Sequence, residues 1–254
     1  MGAILFNGCG GQLKMEGMSA QALFTIGKEK YDKKKYLKAT EYFQQIVFNH
    51  PGETIVDTAQ YYLAMSYVGS RSWVLAEAEF NRLAINYPSS PYFQHALFMK
   101  TNCLFESVPK HYGLDQSDLE NVIKQLEDFI VDYPESELLT QARDLLSVAR
   151  TRLARKTWEG GVVYSRMGLF EPARIYFQKV IDDYTDTPFA ADASFGLAEI
   201  DFKTKKFADA RTKFTNFRTV FPDHKLVVKA GDYIAKIDKE HPVPTEQAQN
   251  VQNP

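Results

Sequence analysis

The chain has 254 residues, 44% of them hydrophobic and 24% charged, and its 30 lysines and arginines against 32 aspartates and glutamates give a formal net charge of −2. That length suits one or two compact domains or a single repeat array, and the composition is that of a chain that folds. The even charge argues against a nucleic-acid binder, which needs a cationic excess, and no apolar run of about 18 residues exists to cross a membrane as a helix. Two cysteines, Cys9 and Cys103, could pair only by tying the extreme N-terminus to a helix, so no structural disulfide is expected.

Residues 1–11 read MGAILFNGCGG, a short apolar run leading into Asn7-Gly8-Cys9-Gly10. This resembles the end of a bacterial lipoprotein signal peptide, where an apolar residue and two small ones precede the cysteine that receives lipid. On that resemblance Cys9 is the lipidation site, and residues 1–16 are a signal remnant and flexible tether. A chain so modified is anchored to a membrane without crossing it. The alternative is an ordinary terminus with an incidental cysteine.

From Ala20 a helix-turn-helix pattern begins, marked by Gly27, Tyr36, Ala39, Phe43, Ile46 and a closing Pro51. The second copy is the clearest. Ala59, Leu63, Ala64 and Tyr67 recur at three and four, which is one helical face. Gly69-Ser70-Arg71-Ser72 then turns the chain, and Trp73, Ala76, Phe80 and Leu83 form a second face. Tyr87-Pro88 ends it, because proline cannot donate the next helical hydrogen bond. Ala39 and Ala76, Phe43 and Phe80, and Pro51 and Pro88 each stand 37 residues apart. Small Ala64 and Ala76 let helix axes approach, while Tyr67, Trp73 and Phe80 fill the space around them. The order resembles the tetratricopeptide repeat (TPR), a helix-turn-helix unit of about 34 residues.

In the third copy Ser90-Pro91 reads as an N-cap followed by a first-turn proline, and Leu97, Thr101, Leu104 and Phe105 follow on its first helix. Residues 108–117 are too long for the usual turn. Ser117-Asp118-Leu119-Glu120 reads as a capping box, and Val122, Leu126 and Phe129 mark the buried face of the next helix. A long helix is expected from Ser136 to about Gly168, with Leu138, Ala142, Leu145, Leu146, Ala149 and Leu153 as its stripe. Gly160-Gly161 either kinks it or, at Gly161, fills the small-residue slot of a fourth copy that continues through Tyr164, Phe170, Ala173, Phe177 and Val180. The fifth copy, opened by Thr187-Pro188, has Ala198, Phe207, Ala210, Phe214, Phe217 and Pro222. A last amphipathic helix over 226–239 (Val227, Val228, Ile234, Ile237) would cover the open end of the array. Residues 241–254 are rich in Pro, Gln and Asn and are expected to be disordered. The expected fold is all-α: an α-solenoid of five TPR-like repeats with a C-terminal capping helix.

The five histidines (His50, His95, His111, His224, His241) show no metal-ligand spacing. Gly8-Cys9-Gly10-Gly11 lacks the Gly-Lys-Ser/Thr ending of a phosphate loop. Asp115 and Asp118 suit a helix N-terminus, and Cys103 reads as a small buried hydrophobe. No nucleophile and base are paired, so the expectation is a non-enzyme with no metal, no cofactor and no small-molecule substrate. The architecture offers surface instead. On the first helices of repeats one and two, Phe24, Tyr31, Tyr61, Met65 and Val68 lie off the intra-repeat stripe. They either contact the neighbouring repeat or remain exposed as an apolar groove for an extended peptide.

The insertion His111-Tyr112-Gly113-Leu114-Asp115-Gln116-Ser117-Asp118, the long helix after Pro134-Glu135-Ser136, and five repeats behind a lipobox-like cysteine together resemble the BamD (ComL) family. These are outer-membrane lipoproteins of the β-barrel assembly machinery. The resemblance implies a scaffold on the periplasmic face of the outer membrane, held by lipid on Cys9. It implies that repeats one to three (residues 17–134) receive unfolded outer-membrane proteins. It also implies that the long helix, repeats four and five and the cap (residues 135–240) dock onto the periplasmic domains of a BamA-like barrel insertase. Another TPR peptide-binding adaptor of the periplasm or cytoplasm is the alternative.

Overall fold

Alternating small and large residues at a 37-residue interval build the same helical hairpin again and again. In the computed structural model, which describes residues 15 and 17–241, the described residues form eleven α-helices and no strand. They are α1 (Ala20–Asp32), α2 (Tyr36–Asn49), α3 (Val56–Gly69), α4 (Trp73–Asn86), α5 (Phe93–Ser107), α6 (Asp118–Asp132), α7 (Leu139–Arg166), α8 (Phe170–Asp183), α9 (Phe189–Lys203), α10 (Phe207–Val220) and α11 (Val227–Glu240). The all-helical TPR-like array and the helix after the fifth repeat are as the sequence reads. Cys9, almost all of the 1–16 tether and the tail beyond His241 lie outside the described residues.

The described residues divide into two compact units, those up to 110 with 114–146, and 111–113 with those from 147 on. The division at 146/147 falls within the span of α7.

In the first unit α1 to α4 pack as successive hairpins around Phe43, Ile46, Leu63, Phe80 and Leu83, all fully buried, with Ala39, Ala64 and Ala76 at the close approaches. Each buried Phe or Leu contributes about 1.5–3 kcal/mol relative to exposure. Gly27 occupies the slot of Ala64 one repeat earlier, and a Cβ there would lie 2.9 Å from the Phe43 ring. In the second unit Phe177 and Val180 pack with Leu197 and Ile200, and Phe214, Phe217 and Ile237 form a further cluster.

Four turns are superimposable in kind. Lys34, Arg71, Gly168 and Lys205 all have positive φ, at 55°, 58°, 76° and 62°. In each case the next residue's N–H reaches five residues back, Lys35 to Lys30, Ser72 to Tyr67, Leu169 to Tyr164 and Lys206 to Asp201. This is the left-handed helix ending that returns the chain at once into the second helix. The insertion replaces it in the third repeat.

Several local expectations are corrected. Ser117 does not cap α6: its backbone is helical and its N–H and hydroxyl both donate to Asp115, so an Asp-centred turn precedes the helix. Ser90 accepts from the Tyr92 N–H in a turn, and α5 begins only at Phe93. Helix α7 runs unbroken through Gly160-Gly161. The reason is packing, since a Cβ on Gly161 would sit 2.6 Å from the Phe177 ring. Leu145 and Leu146 are only half-buried, and Val228 of α11 is 76% exposed, with Ala230 carrying the buried face instead.

Candidate functional site

Tyr61 and Tyr62 sit side by side on α3, and their adjacency starts the site. Consecutive helical residues point about 100° apart, so the two rings face opposite neighbours. Tyr62 turns toward α1 and α2, where its ring centroid lies 5.7 Å from Phe24, 5.3 Å from Tyr31 and 5.8 Å from Phe43. Tyr61 turns toward α5 and its approach, stacking on Tyr92 at 4.2 Å with 15° between planes and meeting His95 edge-on at 6.2 Å. The pair itself is edge-to-face at 5.6 Å. Tyr31 continues the series to Tyr36 at 5.5 Å.

The result is a ribbon of rings, Tyr36, Tyr31, Tyr62, Tyr61 and Tyr92, running from the start of α2 over α1 and α3 to the residue before α5. All five predicted groove residues belong to it or flank it. Phe24, Tyr31 and Tyr61 are joined through Tyr62, while Met65 and Val68 pack against the same core one and two turns further along α3. Each of the five is half-buried, so each contacts neighbouring helices and still presents part of its surface. Tyr62, Tyr92 and His95 were missed. The adjacent tyrosines at 61–62 and the tyrosine just after Pro91 were the available signal.

Two of these phenols are shifted by burial. Burial pushes the Tyr61 phenol up to about 12, with the neighbouring phenols adding to it. Burial likewise raises Tyr31. The hydroxyls of Tyr31, Tyr61 and Tyr62 make no hydrogen bond among the described residues, so they can donate to or accept from a ligand backbone. Lys28 lies 5.2 Å from the centre of the Tyr62 ring, a cation–π distance, while bonded to Asp32. Beneath the ribbon, buried Gln60 donates to the Glu79 carboxylate at 2.6 Å and Arg82 closes on the same carboxylate at 2.8 Å, fixing α3 on α4. Nearby on α5, Cys103 is fully buried, and burial pushes its thiol up to about 12.

The second unit offers a different surface. A groove of about 520 Å³ runs along α8, lined among others by Arg174, Ile175, Lys179, Leu197 and Lys213. Two of its lining residues, Arg174 and Lys213, both donate to the carboxylate of Asp201, which is 1% exposed. Burial alone would raise the Asp201 pKa, but these two donors outweigh it and hold it low. Tyr112 of the insertion lies under the Arg155 guanidinium, 4.8 Å from ring centre. Among the described residues no group of His, Cys, Asp and Glu is arranged to hold a metal.

Comparison with known proteins gives this architecture a family. The family model described as "Outer membrane lipoprotein" (YfiO) matches residues 16–201. The chain is 25% identical over 197 residues to the outer membrane protein assembly factor BamD of Caulobacter vibrioides, covering 76% of this chain and 64% of that one. It is 25% identical over 177 residues to the protein of the same name from Rickettsia prowazekii, covering 70% of each. The chain thus spans a little under two thirds of the length of the Caulobacter relative. A thermophilic TPR protein of Thermus thermophilus aligns over 85% of this chain at 15% identity and a TM-score of 0.37. With the family match running from just before α1 into α9, the chain belongs to the YfiO family of outer membrane lipoproteins.

Proposed function

We propose that this chain is a non-enzymatic scaffold subunit of the outer-membrane β-barrel assembly machinery. It is held at the periplasmic face of the outer membrane by lipid on Cys9. Repeats one to three, residues 17–134, receive unfolded outer-membrane protein segments on the face formed by Phe24, Tyr31, Tyr61, Met65 and Val68. Residues 135–240 dock a BamA-like insertase. The family match and relatives named as outer membrane protein assembly factors support the placement in this machinery.

The observation that carries the substrate role is the tyrosine ribbon. An extended segment advances about 3.3 Å per residue, so every second side chain on one face recurs at about 6.6 Å. Rings spaced 4.2 to 5.6 Å apart along the ribbon offer apolar contacts at a comparable interval. Half-buried rings are already rigid, so a bound segment orders little protein surface. Free hydroxyls among them can satisfy the backbone groups of a strand that has not yet found its sheet partner.

The test is affinity purification from detergent-solubilised outer membranes with the wild-type chain and with Tyr61→Ala. Recovery of a barrel insertase with the wild type, together with loss of crosslinking to unfolded barrel segments in the variant, is the expected result. Isolation of a free monomer beginning at Met1 would transfer the chain to the soluble adaptor reading.

A further inference from the structure

The turn of the first repeat carries a charge cluster that the fold itself does not ask for. Residues 28–38 hold six lysines against Glu29 and Asp32, a local net charge of +4 in a chain whose total is −2. Three lysines pair locally, Lys28 with Asp32 at 2.5 Å, and Lys33 and Lys30 with Glu29 at 2.7 and 3.5 Å. Lys34, Lys35 and Lys38 are exposed and make no ion pair among the described residues.

Cations at the end of α1 are explained by the helix dipole. Lys35 and Lys38 are not: Lys35 is the N-cap of α2 and Lys38 lies in its first turn, where positive charge is disfavoured. Helix α2 has no acidic residue in that turn to offset them. The matching turn of the fifth repeat, Lys203, Lys205 and Lys206, leads into a helix with Asp209 in its first turn. Beside the uncompensated lysines, Leu37 is 68% exposed, whereas the matching position of the fifth repeat holds only Ala208.

Free lysines around an exposed leucine match the two components of an anionic bilayer surface, phosphate charge outside and acyl chain just beneath. We infer that the α1–α2 turn, through Lys34, Lys35, Lys38 and Leu37, docks on anionic lipid headgroups. Val74, at the matching position of repeat two, is as exposed as Leu37 but has no lysine cluster beside it, so it is the pairing of charge with an apolar side chain that favours a lipid surface over a soluble acidic partner. The docking adds to the Cys9 anchor and does not require it.

The experiment is flotation of the full chain carrying Cys9→Ala, so that no lipid anchor contributes. The vesicles are phosphatidylcholine alone, or phosphatidylcholine with 30% phosphatidylglycerol. The expected result is binding to the anionic vesicles only, weakened by salt. K34E/K35E/K38E should reduce it on the order of 100-fold, at roughly fivefold or more per surface lysine, with circular dichroism unchanged. K203E/K205E/K206E, the same charge change at the fifth turn, should leave it nearly intact. Equal loss in both triple variants would reduce the effect to net charge and overturn the assignment, as would equal binding to the neutral vesicles. Displacement from the vesicles by polyglutamate at matched charge would also overturn it and assign the turn to an acidic protein.

Discussion

The joint between repeats one and two is made of rings, and the joint between repeats four and five adds a buried charge to its apolar contacts. Phe24 on α1, Phe43 on α2 and Tyr62 on α3 meet at 5.7 and 5.8 Å. In the second unit, Arg174 on α8 and Lys213 on α10 both grip Asp201 on α9. Rings hold by area and dispersion, tolerate small slides, and can leave an edge uncovered for a ligand. An ion triad holds by direction, and a buried carboxylate without its donors is costly. The aromatic joint can therefore exchange contacts more cheaply than the ionic one.

The contrast can be broken at either end. Phe43→Ala should cost about 3–5 kcal/mol, because it leaves a ring-sized cavity in a fully buried site. That loss should be independent of pH between 3 and 8, measured by denaturant unfolding. Asp201→Ala should cost about 3 kcal/mol, toward the lower end for a broken buried pair because Lys213 can turn to solvent. The pH signature separates the two. The Asp201 carboxyl lies below its ordinary 3.8 in the fold, with burial opposing and the two donors prevailing. Its stabilisation is therefore full above that value and is lost as acid titrates the folded carboxylate, so wild type and variant should converge at low pH.

Tyr61→Ala sharpens the comparison from the binding side. It should weaken capture of an unfolded barrel segment about tenfold, one stacked ring being worth about 1 kcal/mol beyond its area, measured by fluorescence anisotropy. Tyr61→Phe should retain most of that affinity and lose only the hydroxyl's share. The smallest effect tests what the two units share. Arg71→Gly or Lys205→Gly should raise stability by about 1 kcal/mol by relieving a left-handed residue, and Gly168→Ala should lower it by a similar amount. Thermal unfolding reads both.

The helical array was legible because the 37-residue recurrence of Ala39, Phe43 and Pro51 in Ala76, Phe80 and Pro88 encodes packing directly: a small residue opposite a large one can be buried in one way. Caps were less legible. Ser117 and Glu120 have the spacing of a capping box, but Asp115 two residues earlier is a better acceptor and takes the serine N–H. Gly160-Gly161 read equally as a kink or a slot, and only the rings of Tyr176 and Phe177 lying against them decide for the slot. The candidate site was half visible. Tyr61 stands off the packing stripe and could be named, but its stacking partner Tyr92 lies 31 residues away in a turn no periodicity reaches. The Asp201 triad was invisible, because its members are drawn from three helices with no common spacing.

Cys103 gives the first unit a built-in clock. It is the one free cysteine among the described residues, sealed within α5, and its thiol, held near 12, carries almost no thiolate at neutral pH. A thiol-directed reagent can reach it only when that helix opens, so its labelling rate in a Cys9→Ala chain times the opening of the first unit alone. The second unit, whose described residues have no cysteine, stays silent in the same tube. The same seal would shield the lone thiol from exchange wherever disulfides form.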